Sequence, residues 1–539
     1  MHMTELVTAL QKLITRRRNV YFILLIIGLI IYANVLAGKF IFDDELIILR
    51  NTQIRVLNIL QFFSTNTTAG AFIPGSNFYR PLQLIIYAVF YQLFQLEVMP
   101  YHILPVLLHI TNAFLFYVLL TKLGLKRLTS FCCSLVFLIH PVATEAVAYI
   151  SGLADPLGTF FMFGALLGTL KYISEPKLKY AAVVILGTIL AVLSKESYIV
   201  TGPLSVLLVL SLNNFSLKKI TRNARILLIT SNLICGIFLI LKFSVFNFTP
   251  TVGLNQVTSS YTQSIWIRLA SFISSIYDYA VILIFPKDLY YEKQYVFTSS
   301  LFTLKGGFGL LVILIVLLGL IYGIVHKRKY LALGTGWVLL TMLPVTGIIP
   351  LNAIYLEHWL YVPLFGLLIL AGYVIERQKL SGRNVFLFIL VIVMLLLSLR
   401  TVARNYQWAN PEAFYENELN YYPSARIYNN LGNELANEGN LNGALEAYKQ
   451  AVKLDDSYPE TRYNMGNIYM NTGDPRSALK EYLNSLNLDP NFIYTHAKLA
   501  LIFNEQGDLA RAKAFSEFAQ RISTGGKVTL EEIEIALKQ

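Results

Sequence analysis

Charge is what this sequence has least of. Asp, Glu, Lys and Arg make up 14% of its 539 residues, against 55% hydrophobic ones, too few to solvate the surface of a soluble chain this long. Cysteine is nearly absent as well. Cys132, Cys133 and Cys235 are all there are, and each falls inside an apolar run. That argues against a disulfide framework or a thiolate metal site, and leaves the redox compartment unread. Acidic residues number 32 against 44 basic ones, a net charge of +12. In a soluble protein that excess would suggest nucleic acid. Here the basic residues sit in short clusters between apolar runs, so they report topology and no nucleic-acid partner is expected. Long apolar runs are missing after Arg400, whereas before it they recur near the length a helix needs to cross a bilayer.

The first such run, Val20 to Leu36, follows Arg16, Arg17 and Arg18, exceeds a signal-peptide core and lacks a small-residue cleavage site, so it reads as a retained helix. Six basic clusters punctuate the apolar part of the chain: Arg16 to Arg18; Lys122, Lys126 and Arg127; Lys171, Lys177 and Lys179; Lys218 to Arg225; Lys327 to Lys329; and Arg377 to Arg383. Placing all of them in the cytoplasm predicts eleven crossings, at 20–36, 101–121, 128–141, 155–172, 180–194, 198–213, 226–246, 306–325, 330–349, 358–375 and 384–400. Leu82 to Phe94 and Ile265 to Phe285 are then expected to lie along the interface or re-enter. This parity puts the segments 38–100, 141–154, the surroundings of Lys195, 247–305, 350–357 and everything after Arg400 on the non-cytoplasmic side. Compact loops and the absence of a retention signal at Ala536–Gln539 point to a prokaryotic plasma membrane; Asn66 and Asn247 open Asn-x-Ser/Thr triplets on the outer side.

From Ser424 the chain repeats with a period of 34. Gly432 aligns with Gly466, Gly439 with Gly473 and Gly507, Ala444 with Ala478 and Ala512, and Leu431 with Met465 and Leu499. This is the tetratricopeptide pattern, with small residues where paired helices meet and Gly at the turns. The fold class expected is therefore all-α: a polytopic membrane bundle over 1–403, a linker at 404–423, three tetratricopeptide repeats over 424–525 forming an α-solenoid, and a capping helix within 526–539. A stacked array of this kind is either a spacer or a groove for a peptide or protein.

Chemistry-bearing residues gather in the outer segments. Phe42-Asp43-Asp44-Glu45 sets three carboxylates beside the membrane, where crowding and low dielectric raise the pKa of at least one and suit it to a general base; a solvated helix end is the plainer reading. Further along come Tyr79-Arg80-Pro81-Leu82, then His140-Pro141 to Glu145, then Gly152 to Asp155. On a helix Pro141, Thr144 and Glu145 share a face, which would bring Glu145 towards the acidic triplet. Lys195 at an outer helix end could neutralise a lipid phosphate or snorkel to the interface, and Arg80 invites the same pair of readings. Glu357-His358-Trp359 to Pro363 suits either a site or an aromatic belt.

Taken in order, these segments resemble the C-type membrane glycosyltransferases, and most closely the protein O-mannosyltransferase-like branch with C-terminal tetratricopeptide repeats. Arg404 and Trp408, just before the repeats, complete the likeness. Two positions depart from it: Gly152-Leu153-Ala154-Asp155 stands where that branch tends to read Gly-Arg-Ala-Asp, and Glu357-His358 where it tends to read Glu-Arg. The resemblance implies transfer of a sugar, mannose in that branch, from a polyprenyl or dolichyl phosphate to an acceptor hydroxyl, with inversion. Asp43 or Asp44 would be the base. Arg80, His140, Glu145, Asp155, Lys195 and Glu357 would bind donor or acceptor. No cofactor is required, because phosphate already departs well, and no metal ligand is assigned, although the acidic triplet could hold a divalent ion. The expected partners are the lipid-linked sugar, membrane lipids and an acceptor protein recruited by the repeats.

Two other readings share the same residues. The sugar could go to a glycan or lipid acceptor through the same donor machinery. A non-catalytic scaffold or a transporter would instead use the membrane part as anchor or pathway; transporters keep ionisable groups near the midplane, whereas here the carboxylates lie at helix ends.

Overall fold

The computed structural model describes residues 11–71, 77–246, 259–293, 297–377 and 383–538. The described chain contains helices, 3-10 and π turns and loops, with no strand among the described residues. It divides into two compact units, one reaching Ala409 and the other comprising residues 410–538 with Glu292 and Lys293.

The larger unit contains α1 (Arg17–Ile31), α2 (Pro81–Phe94), α3 (Val98–Leu123), α4 (Arg127–Ile139), α5 (Ala154–Ser174), α6 (Leu178–Ser194), α7 (Thr201–Leu212), α8 (Arg222–Ser244), α9 (Ile265–Ile284), α10 (Leu304–Val325), α11 (Lys329–Met342), α12 (Pro363–Arg377) and α13 (Arg383–Ala409). Among the described residues six helical stretches are long and apolar enough to cross a membrane, and a seventh span results if Arg127–Ile139 and Pro141–Val147, bent by 53° at His140, count as one. Pro81–Phe94, Leu178–Ser194, Glu196–Leu212 and Lys329–Val345 are shorter apolar helices. Length and composition thus pick out fewer spans than the eleven expected from the basic clusters.

Ile265 to Phe285, expected along the interface, forms the 20-residue helix α9, which passes the same test. Its charges find local partners. Arg268 is buried and donates to the carbonyls of Gly347 at 2.6 Å and Thr262 at 2.8 Å, and Lys305 reaches Asp278 at 2.7 Å. Each charge is satisfied locally, so the helix need not present it to water.

Aromatic packing holds the bundle centre. Phe365 of α12 lies 4.2 Å from the Phe137 ring of α4, 4.9 Å from Phe116 of α3 and 4.8 Å from Phe163 of α5, distances at which ring pairs contribute beyond their buried area. The opposite extreme is α10, whose Leu311, Leu314, Ile315, Leu318 and Ile321 are all exposed, as suits a helix bathed in lipid. α13 is fastened to the C-terminal ends of α1 and α4 by side chains reaching backbone: Asn34 donates to the Val402 carbonyl at 2.9 Å, Asn405 to that of Ile31 at 3.0 Å and Thr401 to that of Ile139 at 2.6 Å.

The smaller unit opens with α14 (Pro411–Tyr421) and continues with three helix pairs, α15 (Ala425–Asn437) with α16 (Leu441–Leu454), α17 (Pro459–Asn471) with α18 (Pro475–Leu488), and α19 (Ile493–Glu505) with α20 (Leu509–Ser523), closed by α21 (Leu530–Lys538). The 34-residue period is visible in three dimensions. Gly439, Gly473 and Gly507 all take positive φ at the turn within a pair, a conformation that favours glycine, and the next helix is capped by the side chain of Asn440, Asp474 or Asp508. The expected linker is instead helical. Its first residues, 404–409, continue α13 and the rest form α14. The glycosylation triplet at Asn247 lies outside the described residues.

Candidate functional site

The three adjacent carboxylates after α1 have three different environments. Phe42 takes a positive φ of 54°, which reverses the chain and turns the next two side chains apart. Asp44 is buried: its Oδ2 accepts the Ile41 amide at 3.0 Å, and its Oδ1 accepts both the amide and the hydroxyl of Ser151, at 2.9 and 2.5 Å. Burial pushes its carboxyl up to about 7, against the pull of those hydrogen bonds and with a contribution from the Asp43 charge. Asp43 is half-buried, and its backbone amide donates to the Tyr149 hydroxyl at 3.0 Å. Glu45 pairs with Arg50 at 2.5 Å.

Both aspartates therefore meet the segment 149–155. The Tyr87 hydroxyl of α2 donates to the Ile150 carbonyl at 2.6 Å, and Gln83 donates to that of Ser151 at 2.9 Å. Gly152 is required here, because a Cβ would stand 2.6 Å from the Glu145 carbonyl. At the end of this segment Asp155 opens α5 and accepts the Lys195 ammonium at 2.8 Å on each oxygen. Lys195 is buried; burial draws its pKa down, Asp155 opposes this and Arg80 reinforces it.

Beside this pair lies a second ionic group. Glu196 accepts the Tyr79 amide at 2.6 Å, stands 3.6 Å from Arg80 Nε and 3.9 Å from the Lys242 ammonium. Lys242 also reaches the Asn77 backbone carbonyl and, at 3.2 Å, its side-chain oxygen. Three cations, Arg80, Lys195 and Lys242, thus surround two carboxylates, Asp155 and Glu196. Among the described residues the buried Nε of Arg80 has no hydrogen-bond partner.

A third group forms around the ends of α12 and α13. Glu145 is buried and accepts the His358 amide at 2.9 Å and its ring Nδ1 at 2.5 Å, which ties it to this turn. Glu357 and Arg404, both fully buried, face each other at 3.9 Å. The Arg404 guanidinium lies 5.1 Å over the Trp408 ring, and Trp408 stacks on Tyr149 at 5.0 Å, so this group shares Tyr149 with the acidic one.

His140 takes a different place. Its Nδ1 accepts the Val142 amide at 3.2 Å and its Nε2 faces the Leu283 carbonyl at 3.2 Å. Both ring nitrogens are committed to backbone, so it shapes the bend after α4 and has no atom left for a ligand. Among the described residues no group of three or more His, Cys, Asp or Glu side chains is arranged to hold a metal ion.

Sequence reasoning missed Tyr149 and Lys242. Lys242 carried a weak signal: a lysine near the end of an expected crossing invites the same two readings as Lys195, a site or snorkelling to the interface. Tyr149 carried none, because its partners Asp43 and Trp408 are remote in sequence.

Tetratricopeptide-repeat family models match residues 432–473 and 459–492. Several curated proteins are similar along most of the chain. A protein O-mannosyl-transferase of Caenorhabditis elegans is 28% identical over 81% of this chain and 63% of that protein. Protein O-mannosyl-transferase TMTC3 of Homo sapiens is 25% identical over 81% of this chain and 52% of that protein, and TMTC4 of Homo sapiens 22% identical over 78% and 64%. The chain thus spans between about half and two thirds of these relatives. The crystal structure of the apo Archaeoglobus fulgidus oligosaccharyltransferase aligns with 76% of this chain and 57% of that one, at 13% identity and a TM-score of 0.34. The likeness drawn from the motifs is borne out: relatives of this chain are protein O-mannosyl-transferases, and its last part is a tetratricopeptide-repeat array.

Proposed function

We propose that this protein is a membrane glycosyltransferase that moves a sugar, mannose, from a polyprenyl or dolichyl phosphate carrier to a serine or threonine hydroxyl of an acceptor protein, on the non-cytoplasmic face and with inversion. The observation that carries this reading is the segment 149–155. It holds the acidic group at one end, through Tyr149 and Ser151, and the cationic group at the other, through Asp155. A base and a set of cations fixed to one short segment are what displacement of a phosphate from a sugar needs.

In this mechanism Asp43 is the base. Asp44 has its lone pairs committed to three donors, whereas Asp43 is the less buried of the two. Asp43 takes the acceptor hydroxyl proton as the new C1–O bond forms on the face opposite the carrier. The C1–O bond to phosphate breaks, and the phosphate leaves with the electron pair. Arg80, Lys195 and Lys242 meet the charge that develops on it. Their three positive charges against the two of Asp155 and Glu196 leave one in excess, matching the single charge of a glycosyl phosphodiester. Glu145 and Glu357 hold the turn at His358, and the repeats recruit the acceptor.

The test is transfer of radiolabelled mannose from polyprenyl phosphate mannose by purified chain carrying wild-type sequence or Asp43→Asn, with label scored in protein, glycan and lipid. Transfer to protein that Asp43→Asn abolishes at equal folded level supports the reading. Label in glycan or lipid instead would replace the acceptor, and no transfer from any carrier-linked sugar would remove the enzyme.

A further inference from the structure

A cavity of about 310 Å³ opens where α1 begins and α3 gives way to α4, lined by Arg17, Tyr117, Thr121, Leu125, Lys126 and Arg127. We infer that it is a binding site for the phosphodiester headgroup of an anionic phospholipid, separate from the acidic and cationic groups described above and independent of the chemistry proposed for them.

The lining is built for an anion. It offers two guanidinium groups and an ammonium, and none of the lining residues carries a carboxylate. The walls are held in place by bonds to backbone. Arg127 donates to the Thr15 carbonyl at 2.6 Å, Tyr117 to that of Ile14 at 3.4 Å and Thr121 to that of Val118 at 2.9 Å. The first two bonds hold the residues just before α1 against α4 and α3. Leu125 is buried and forms an apolar floor.

The elements packed around the cavity carry one notable anion. Glu376 of α12 accepts the Lys126 amide at 2.6 Å, so its carboxylate is directed at the first turn of α4. Other cations surround it: Arg16, Arg18 and Lys122 are exposed on α1 and α3, and Lys329 of α11 donates to the Leu123 carbonyl at 2.7 Å. A positive-inside bias accounts for cations at this end of the bundle. It does not account for three of them lining one cavity.

A lipid fits better than a soluble phosphate because of what adjoins the cavity. α3 is an apolar span, and α1 exposes Phe22, Ile26 and Ile30 at helical spacing just beyond its arginines. A headgroup in the cavity would leave its acyl chains beside an apolar helix face, the arrangement by which basic pockets between spanning helices take anionic lipids.

Native mass spectrometry of the full chain in detergent, titrated with phosphatidylglycerol or phosphatidylcholine, tests this. The expected result is one tightly retained phosphatidylglycerol per chain, with phosphatidylcholine retained far less. Replacing Arg17, Lys126 and Arg127 with Gln should weaken that retention about a hundredfold. The same charge change at Arg16, Arg18 and Lys122, outside the lining, should leave it nearly intact. Equal retention of both lipids, or equal losses from the two triple variants, would show diffuse attraction and overturn the site. Displacement of the lipid by millimolar glycerol phosphate would overturn the lipid as occupant and assign the cavity to a soluble phosphate. All six basic residues are exposed, so replacing them leaves the packed helices intact. No sugar-transfer readout is involved, so the outcome stands apart from that of the proposed activity.

Discussion

Ser151 donates twice to one oxygen of Asp44, from its backbone amide at 2.9 Å and from its hydroxyl at 2.5 Å. With the Ile41 amide on the other oxygen, this fixes Asp44 as the clamp between the loop after α1 and the segment 149–155, and in the proposed mechanism it is Asp43 that acts on the substrate. The two aspartates should therefore fail differently. Asp43→Asn should lower the rate of sugar transfer by about 10²–10⁴, the range of a lost general base, with the melting temperature nearly unchanged. Asp44→Asn should lower the melting temperature, because an amide nitrogen would face a backbone donor that the carboxylate had accepted. An inactive but fully stable Asp44→Asn beside an active Asp43→Asn would exchange the two roles.

The same clamp predicts how stability depends on pH. Burial lifts the Asp44 carboxyl from its ordinary 3.8 to about 7, so the folded state binds this proton more tightly than the unfolded state does. The resulting stabilisation is fully present below about 3.8 and is lost as pH rises through about 7. Thermal unfolding from pH 4 to pH 8 should show this decline in the wild type, and Asp44→Asn should have a flatter profile. Parallel profiles would mean that Asp44 is charged in the folded protein throughout.

How much of this was legible depends on whether the partners lie close in the chain. The repeats were readable because Gly439, Gly473 and Gly507 occupy equivalent turns 34 residues apart, so that local geometry writes itself into the period. The acidic triplet was readable as a motif. Its division of labour was not, since that depends on Ser151, 107 positions away. His140 entered only through the likeness to the glycosyltransferases, and the two backbone groups that its ring meets lie beyond a sequence reading. α9 was set along the interface by the parity of the basic clusters alone, which carries no information on the partners that Arg268 and Asp278 find at Gly347 and Lys305.

Glu357 and Arg404 form a fully buried ion pair at 3.9 Å, and breaking such a pair from one side leaves a charge without its counter-ion. Arg404→Met should cost about 3–5 kcal/mol, whereas Glu357→Leu with Arg404→Met should be far less destabilising than either change alone. Denaturation of the four proteins in a double-mutant cycle measures this. Additive losses would mean that the two side chains act independently, Arg404 through its stacking on Trp408 instead.

Lys242 is the residue whose role the structure changes most. It belongs to α8, yet its ammonium meets Glu196 at 3.9 Å and the Asn77 side chain at 3.2 Å, which places it in the same ionic group as Arg80. If the group neutralises a carrier phosphate, removing one of three cations cancels the single excess charge. The site would then attract an anionic donor no better than a neutral lipid. Lys242→Met should accordingly raise the KM for the lipid-linked sugar about tenfold and also lower kcat, since the charge on the phosphate grows as the C1–O bond breaks. Lys242→Arg keeps the charge and should restore most of the affinity. Raising the ionic strength separates this from a structural loss: the wild-type KM should rise with salt and that of Lys242→Met should rise less, because one long-range attraction is already gone. A kcat that collapses in both variants at unchanged KM would instead make Lys242 a brace for the Asn77–Arg80 segment, and would return the phosphate to Arg80 and Lys195 alone.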